Sequence, residues 1–554
     1  MKKFTFHVLF FSLLFVINAQ AQLFTRTAEI KEPSNKERGF GGIIAGVDFD
    51  KDGKPEIYAC NTNMVDGAYE LIPRIYKFEW NKTTAKWDSV WSATAPLTEQ
   101  NTWPAFAWGD LDKDGRPEIY WAPVNFSPYP DVARILVYEY PGDGSDNMGV
   151  SDGLGGFMPN ASTNILAGAG LNIRPIRFVI ADPDADGKDE LIFCDRNGFM
   201  NVGVLSVDII PNLGGGTEKW TVEYSGQGVA SLGTLGKWDV AVLGNIVYIF
   251  EASTSSTAKD IYKVYGIKYS SGAWQAPKAQ SGIAGGNGSF KGSKVVDINK
   301  DGKNEILVAE WLGNAKGQGA KVWLLQQVAD TLVSTEIADL ESLGAVRLNG
   351  ADAGDLDGDG KLDFVCAARH DANNSKKVPI FRVAYKGGDI TSAANYVSSV
   401  IDSAYWTKNG DMDVVSVANV DGDPEDEVLY TQGYSRGNSN DDPMPLIILD
   451  KQFTPVSVEK LTDVIPADYY LEQNYPNPFN PTTQIKFGIS EASNIELTVY
   501  DILGREIAVL INKEYLAAGS YNVKFNAENL ASGIYIYKLT AGNYSVSKKM
   551  QLLK

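Results

Sequence analysis

The sequence predicts an all-β chain, a seven-bladed β-propeller followed by a small C-terminal β-sandwich of immunoglobulin-like type. Three observations predict it. A nine-residue acidic loop recurs along most of the chain, each copy leads into an apolar strand-like run, and the composition changes after residue 461.

The chain opens with Lys2 and Lys3, an apolar run over 8–17 and then Ala19-Gln20-Ala21. This is the pattern of a secretory signal peptide, expected over residues 1–21, and the run is too short for a membrane span. No later stretch is long and apolar enough to be a transmembrane segment. Residues 23–30 are expected to form a strand that closes the ring against the last unit.

The clearest loop is Asp110, Asp112, Asp114, Gly115 and Glu118. Oxygen ligands at positions one, three, five and nine point to a hard cation, Ca²⁺ above all, and the glycine at six permits the turn that returns the ninth side chain. An EF-hand would place its last acid at position twelve, between helices. Here the flanks 105–108 and 119–121 read as strands. Further copies are Asp48, Asp50, Asp52 and Glu56; Asp182, Asp184, Asp186 and Glu190; Asp297, Asn299, Asp301 and Glu305; Asp355, Asp357, Asp359 and Asp363; and Asn419, Asp421, Asp423 and Glu427. These residues are the candidate ligands of up to six structural Ca²⁺ sites. Pro424 takes the glycine position of the last copy, and Asn299 and Asn419 replace acids, so the fifth and seventh units are expected to bind more weakly.

The copies start 62, 72, 115, 58 and 64 residues apart, so the gap of 115 holds two periods. A degenerate copy is expected inside it, with Asp239 and Gly244 at positions one and six and with Ala241, Leu243 and Val247 in place of the other ligands. Seven units of roughly sixty residues each accommodate four short strands. In the first unit these are expected over 43–47, 56–60, 72–80 and 87–91. Seven such sheets arranged radially leave only short, protected edges. The propeller is expected over residues 22–461.

Loop and period together resemble the FG-GAP, or VCBS-type, repeats of integrin α-subunit propellers and related bacterial repeat proteins, over about residues 38–461.

Residues 462–467 read as a linker and 468–554 as a last domain. It holds Asn474-Tyr475-Pro476-Asn477-Pro478-Phe479-Asn480-Pro481, strand-like runs at 483–488 and 494–500, then Gly533-Ile534-Tyr535-Ile536-Tyr537-Lys538 and a terminal Lys548-Lys549-Met550. Alternating strands in so short a stretch suggest a small β-sandwich. The motifs resemble the type A C-terminal sorting domain of the type IX secretion system. That resemblance implies the type IX secretion machinery as a partner, export from a Gram-negative bacterium, and either release or anchoring at the outer cell surface.

The net charge of −19 is smaller than the number of loop carboxylates, so the acidity belongs to the loops. No basic stripe offsets it, which argues against nucleic acid as a partner. The three cysteines, Cys60, Cys194 and Cys366, fall at similar places in different units and are expected to be buried rather than bridged. Once the signal is removed, His370 is the one histidine left, which excludes sites built from several histidines.

Each loop joins a first strand to a second, so the loops are expected on one face of the ring. The opposite face is the expected ligand face, with Arg38, Phe40, Trp103, Arg174, Phe290, Lys291, Asn349, Asp352, Trp406, Lys408 and Asp411 as candidates. Aromatic, amide and charged groups there suit an extracellular glycan or protein. The favoured reading is a non-catalytic binding or adhesion module. A polysaccharide lyase or glycosidase on the same scaffold is the alternative, since paired carboxylates need no histidine.

Overall fold

Acidic loops alternating with apolar runs set the architecture, described here from a computed structural model. It describes residues 24–553 apart from 34–38, 62–71, 97–103, 124–132, 166–172, 197–199, 211–217, 234, 252–262, 282, 284–288, 313–318, 369–376, 406–413, 424, 432–444, 452–458, 463–464, 503–505, 528–529, 531 and 543. The expected signal peptide, Arg38, Trp103, His370, Trp406, Lys408, Asp411 and Pro424 lie outside the described residues. The chain forms two compact units, one of them Phe24–Lys451 and the other containing Gln452–Lys554.

In Phe24–Lys451 the described residues form seven antiparallel sheets of four or five strands and one two-stranded ribbon. The first strands are Phe40–Val47, Ala105–Gly109, Pro175–Ala181, Lys237–Leu243, Ser289–Val296, Leu348–Gly354 and Val415–Ala418. Each packs against the first strands of the sheets before and after it, and Val415–Ala418 returns to Phe40–Val47, so the ring closes on itself. Second strands such as Glu56–Asn61, Glu118–Ala122 and Glu190–Asp195 are buried along their whole length. That burial explains their unbroken apolar runs, because both faces meet neighbouring sheets. Cys60, Cys194 and Cys366 lie in these strands as free, buried thiols.

The strand Phe24–Ile30 pairs antiparallel with Leu446–Lys451 and becomes the outer strand of the seventh sheet. The first and last segments of the unit are therefore hydrogen bonded to each other.

Sheet four corrects the expected degenerate loop. Lys237–Leu243 and Ile246–Glu251 pair continuously from Asp239 opposite Phe250 to Leu243 opposite Ile246, and only Gly244 and Asn245 join them, with Gly244 at φ 53°. The metal loop is replaced by a tight turn. Asp239 is not a loop residue but lies inside the first strand, where its carboxylate accepts the Gly292 N–H at 2.7 Å and binds Arg177 at 2.7 Å. The period survives because strand pairing, not the loop, carries it.

The second unit is a sandwich of two four-stranded sheets, one ordered Glu459–Thr462, Gly519–Asn526, Thr482–Ile489, Tyr470–Leu471 and the other Glu506–Leu516, Ser493–Tyr500, Gly533–Ala541, Tyr544–Leu552. The expected boundary at 461/462 falls inside Glu459–Thr462, a strand of this sandwich. The Asn474 to Pro481 motif anchors the last strand. Asn474 is buried and its side chain donates to the Pro476 carbonyl and Thr483 Oγ1, while the Phe479 N–H donates to the Gln551 carbonyl at 2.9 Å.

Candidate metal centres

Five of the six acidic loops share one backbone turn at position six, and all six share the conformation of position four. Position six is a glycine with φ between 77° and 92° in five of them, Gly53, Gly115, Gly187, Gly302 and Gly360. Position four is also left-handed, at Lys51, Lys113, Ala185, Lys300, Gly358 and Gly422. Two reversals within three residues turn the acids inward, and a side chain at position six would be strained there.

Side chains then lock the turn. In loop three the Asp182 carboxylate accepts the N–H groups of Asp186 and Gly187 at 3.2 and 3.0 Å, Asp184 accepts that of Asp186, and Asp186 accepts that of Lys188. The same position-one contacts recur at Asp48, Asp297 and Asp355. The ninth acid begins the second strand, paired with the last residue of the first strand, as in Gly109 opposite Glu118 and Ala181 opposite Glu190. This register places the acid under the loop. One of its oxygens accepts the N–H of position two, from Phe49, Leu111, Ile298, Leu356 and Val420 in loops one, two, five, six and seven. Loop three differs because position two is Pro183, which has no N–H to give.

Carboxyl oxygens of Asp110, Asp112, Asp114 and Glu118 lie within 4.8 Å of one another, as do those of Asp182, Asp184, Asp186 and Glu190. Glu118 Oε1, both oxygens of Glu190 and Glu427 Oε1 are buried without a hydrogen-bond partner. Burial pushes Glu118 up to about 9, with Asp112 and Asp110 adding repulsion. Burial does the same to Glu190, reinforced by Glu223 and Asp184, and to Glu427, reinforced by Asp421 and Asp423, each up to about 9. Buried, inward-facing oxygens crowded by like charge are the donor set a hard divalent cation requires, so these loops fit Ca²⁺.

Neighbouring loops touch, which places them on one face of the ring. Lys113 reaches Asp189 of the next loop at 2.5 Å, Lys300 donates to the Gly360 carbonyl at 2.7 Å, and the Asp355 N–H donates to Asp426 at 2.7 Å. Beside loop five the short turn of sheet four leaves an open cleft of about 530 Å³ lined by Leu243, Gly244, Glu305 and Gln327.

Third strands bring further charges that the loop motif does not contain. Glu79 and Glu139 stand opposite the ninth acids of loops one and two, and Lys77 and Arg382 stand two residues earlier in their strands. A charged residue inside an apolar run, as in Ile75-Tyr76-Lys77-Phe78, is the sequence signal for them.

On the expected ligand face, Arg174 and Asn349 are buried, at 5% and 1% exposure. Phe40 is buried and packs edge-on against Tyr76 and Phe78, and Phe290 is buried against Phe250. Asp352 is half-buried, bridging Lys294 and the Val417 N–H. Phe290 and Asp352 thereby join sheet to sheet.

Residues 473–552 match the secretion system C-terminal sorting domain, and residues 48–121 and 297–366 match the FG-GAP-like repeat. No curated protein matches the chain. Among solved structures it is similar to a periplasmic gluconolactonase of Pseudomonas aeruginosa, at 14% identity and TM-score 0.38, over 67% of this chain and 85% of that one. It is also similar to the C-terminal domain of PilY1 from Pseudomonas aeruginosa, at 10% identity and TM-score 0.29, over 79% of this chain and 93% of that one. Likeness at this level assigns neither substrate nor partner. The two modules read from the sequence, FG-GAP-like repeats and a type IX sorting tail, are both present, and the tail marks the chain for export to the outer surface or beyond.

Proposed function

We propose that this exported FG-GAP-repeat chain is a calcium-stabilised, non-catalytic binding module for a glycan or a protein at the cell surface or outside the cell. The observation that carries the calcium half is the unpartnered, buried oxygen of Glu118, Glu190 and Glu427. Asp110, Asp112, Asp114 and Glu118 would hold one ion, and Asp182, Asp184, Asp186 and Glu190 another. A bound ion supplies neutralising charge where the first strand turns into the second. Because the site exists only when the strands are paired, binding adds to folding stability.

The non-catalytic half is supported by where carboxyl titration is perturbed. Catalytic acids and bases are marked by shifted groups gathered in a cleft. Among the described residues, the largest upward shifts, at Glu118, Glu139, Glu190, Asp363, Asp423, Glu427 and Asp450, lie in or against an acidic loop, and Glu310, which burial also raises elsewhere, is held by the Ala320 N–H. The ligand is assigned to the opposite rim, with Trp103 and Trp406 as the first contacts to substitute.

The test incubates the full chain, with Ca²⁺, against a panel of soluble and insoluble polysaccharides, and records both retention and release of shorter sugars. Retention without release is expected for a glycan ligand, and its loss in Trp103→Ala or Trp406→Ala would map the face. Release of shortened products would overturn the reading in favour of a lyase or glycosidase. Neither retention nor release would assign the ligand to the protein class.

A further inference from the structure

The six loops divide into two kinds, and the division comes from the third strand. In sheet one, Lys77 is fully buried and its ammonium lies 2.6 Å from Asp50, 2.7 Å from Glu56, 2.8 Å from Glu79 and 2.8 Å from Asp146. Asp50 and Glu56 are positions three and nine of loop one. In sheet six, the Arg382 guanidinium pairs with Asp357 and lies 2.8 Å from Asp363. These are again positions three and nine, of loop six.

Lys77 and Arg382 occupy the same register. Lys77 is paired with Tyr58, two residues after Glu56, and Arg382 with Val365, two residues after Asp363. The corresponding third-strand residues in sheets two, three, five and seven are Val137, Val204, Leu324 and Ile448. None of these can neutralise a carboxylate. The cations at position seven do not make the distinction, because Lys54, Arg116, Lys188, Lys303 and Lys361 recur in loops of both kinds. Arg116 binds Asp114 and Glu139 and leaves Glu118 Oε1 without a partner.

Ca²⁺ takes six to eight oxygens at about 2.3–2.6 Å. An ammonium or guanidinium already in contact with the third and ninth carboxylates fills the position that those two acids share and repels a second cation there. We propose that Lys77 and Arg382 are built-in counter-cations that stand where a metal would in loops one and six, so that loops two, three, five and seven alone take a divalent ion. The inference rests on the calcium reading above and changes its count.

The experiment measures calcium bound per full-length chain by equilibrium dialysis followed by elemental analysis. Glu118→Gln and Glu190→Gln are expected to lose one ion each, whereas Glu56→Gln and Asp363→Asn keep the wild-type count. Lys77→Val and Arg382→Val, which install the residue of sheets two and three, are expected to gain one ion each. The losing and the unchanged variants decide the matter even where a gain variant does not fold. If Glu56→Gln or Asp363→Asn loses an ion as Glu118→Gln does, this proposal falls while the calcium reading stands. If no chain binds calcium, both fall.

Discussion

At the scale of single residues, the ninth acid carries the argument. Glu118 is buried under its loop and, without a cation, is pushed up to about 9, so the metal-free folded chain prefers it protonated. The folded value lies above the ordinary carboxyl value of 4.5, so the folded chain binds more protons than the unfolded chain across that interval. The contribution of Glu118 to the stability of the chelated protein is therefore fully present below about 4.5 and is lost as pH rises toward 9, with Glu190 and Glu427 acting in the same sense. Thermal melts in chelator between pH 5 and 9 check this, and the slope should flatten when Ca²⁺ is present. The same residue predicts a change of sign. In chelator at pH 8, Glu118→Gln should stabilise the chain by about 1–3 kcal/mol, the usual cost of an unsatisfied buried polar group. In Ca²⁺ it should destabilise, because a ligand is gone. Melting the variant and the wild type side by side in both buffers reads the crossing directly.

At the scale of the element, the unit is a strand, a loop, a buried strand and the third strand that covers it. Spacing alone made the first three legible, because the ligands sit at fixed offsets and the buried strand has no polar interruption. The four strands expected in the first unit match Phe40–Val47, Glu56–Asn61, Arg74–Asn81 and Lys86–Thr94. What spacing did not reveal was anything set by pairing across strands. Lys77 and Arg382 lie some twenty residues beyond their loops and meet them only through register. Asp239 kept the look of a loop residue because its strand continues straight into a two-residue turn. Arg174 and Asn349 are polar residues near the start of a first strand, and their burial is decided by neighbours far away in sequence. Removing Lys77 leaves several buried carboxylates without their cation, so Lys77→Ala should cost about 3–5 kcal/mol in chelator. Added Ca²⁺ should restore part of that loss, and denaturant melts in the two buffers measure both quantities.

At the scale of the whole Phe24–Lys451 unit, closure depends on its two ends. Phe24–Ile30 completes the seventh sheet, and Phe24 is buried while Arg26 binds Asp402 at 2.9 Å. Deleting 24–30 would expose the edge of Leu446–Lys451 and should lower the melting temperature or broaden the transition, read by calorimetry of the truncated chain. The sheets flanking this seam are the first and sixth, whose third strands carry Lys77 and Arg382. Chelation should therefore loosen sheets two and three before those beside the seam. Hydrogen exchange should rise after chelation around 110–118 and 182–190 and stay low around 48–56 and 355–363.

The most direct measurement is the melting temperature of the full chain in Ca²⁺ and in excess chelator at the same pH and ionic strength. Ions that bind only the folded ring should raise the midpoint by roughly 10 °C or more, in a concentration-dependent way. A midpoint that does not move would contradict the claim that these loops are held by calcium.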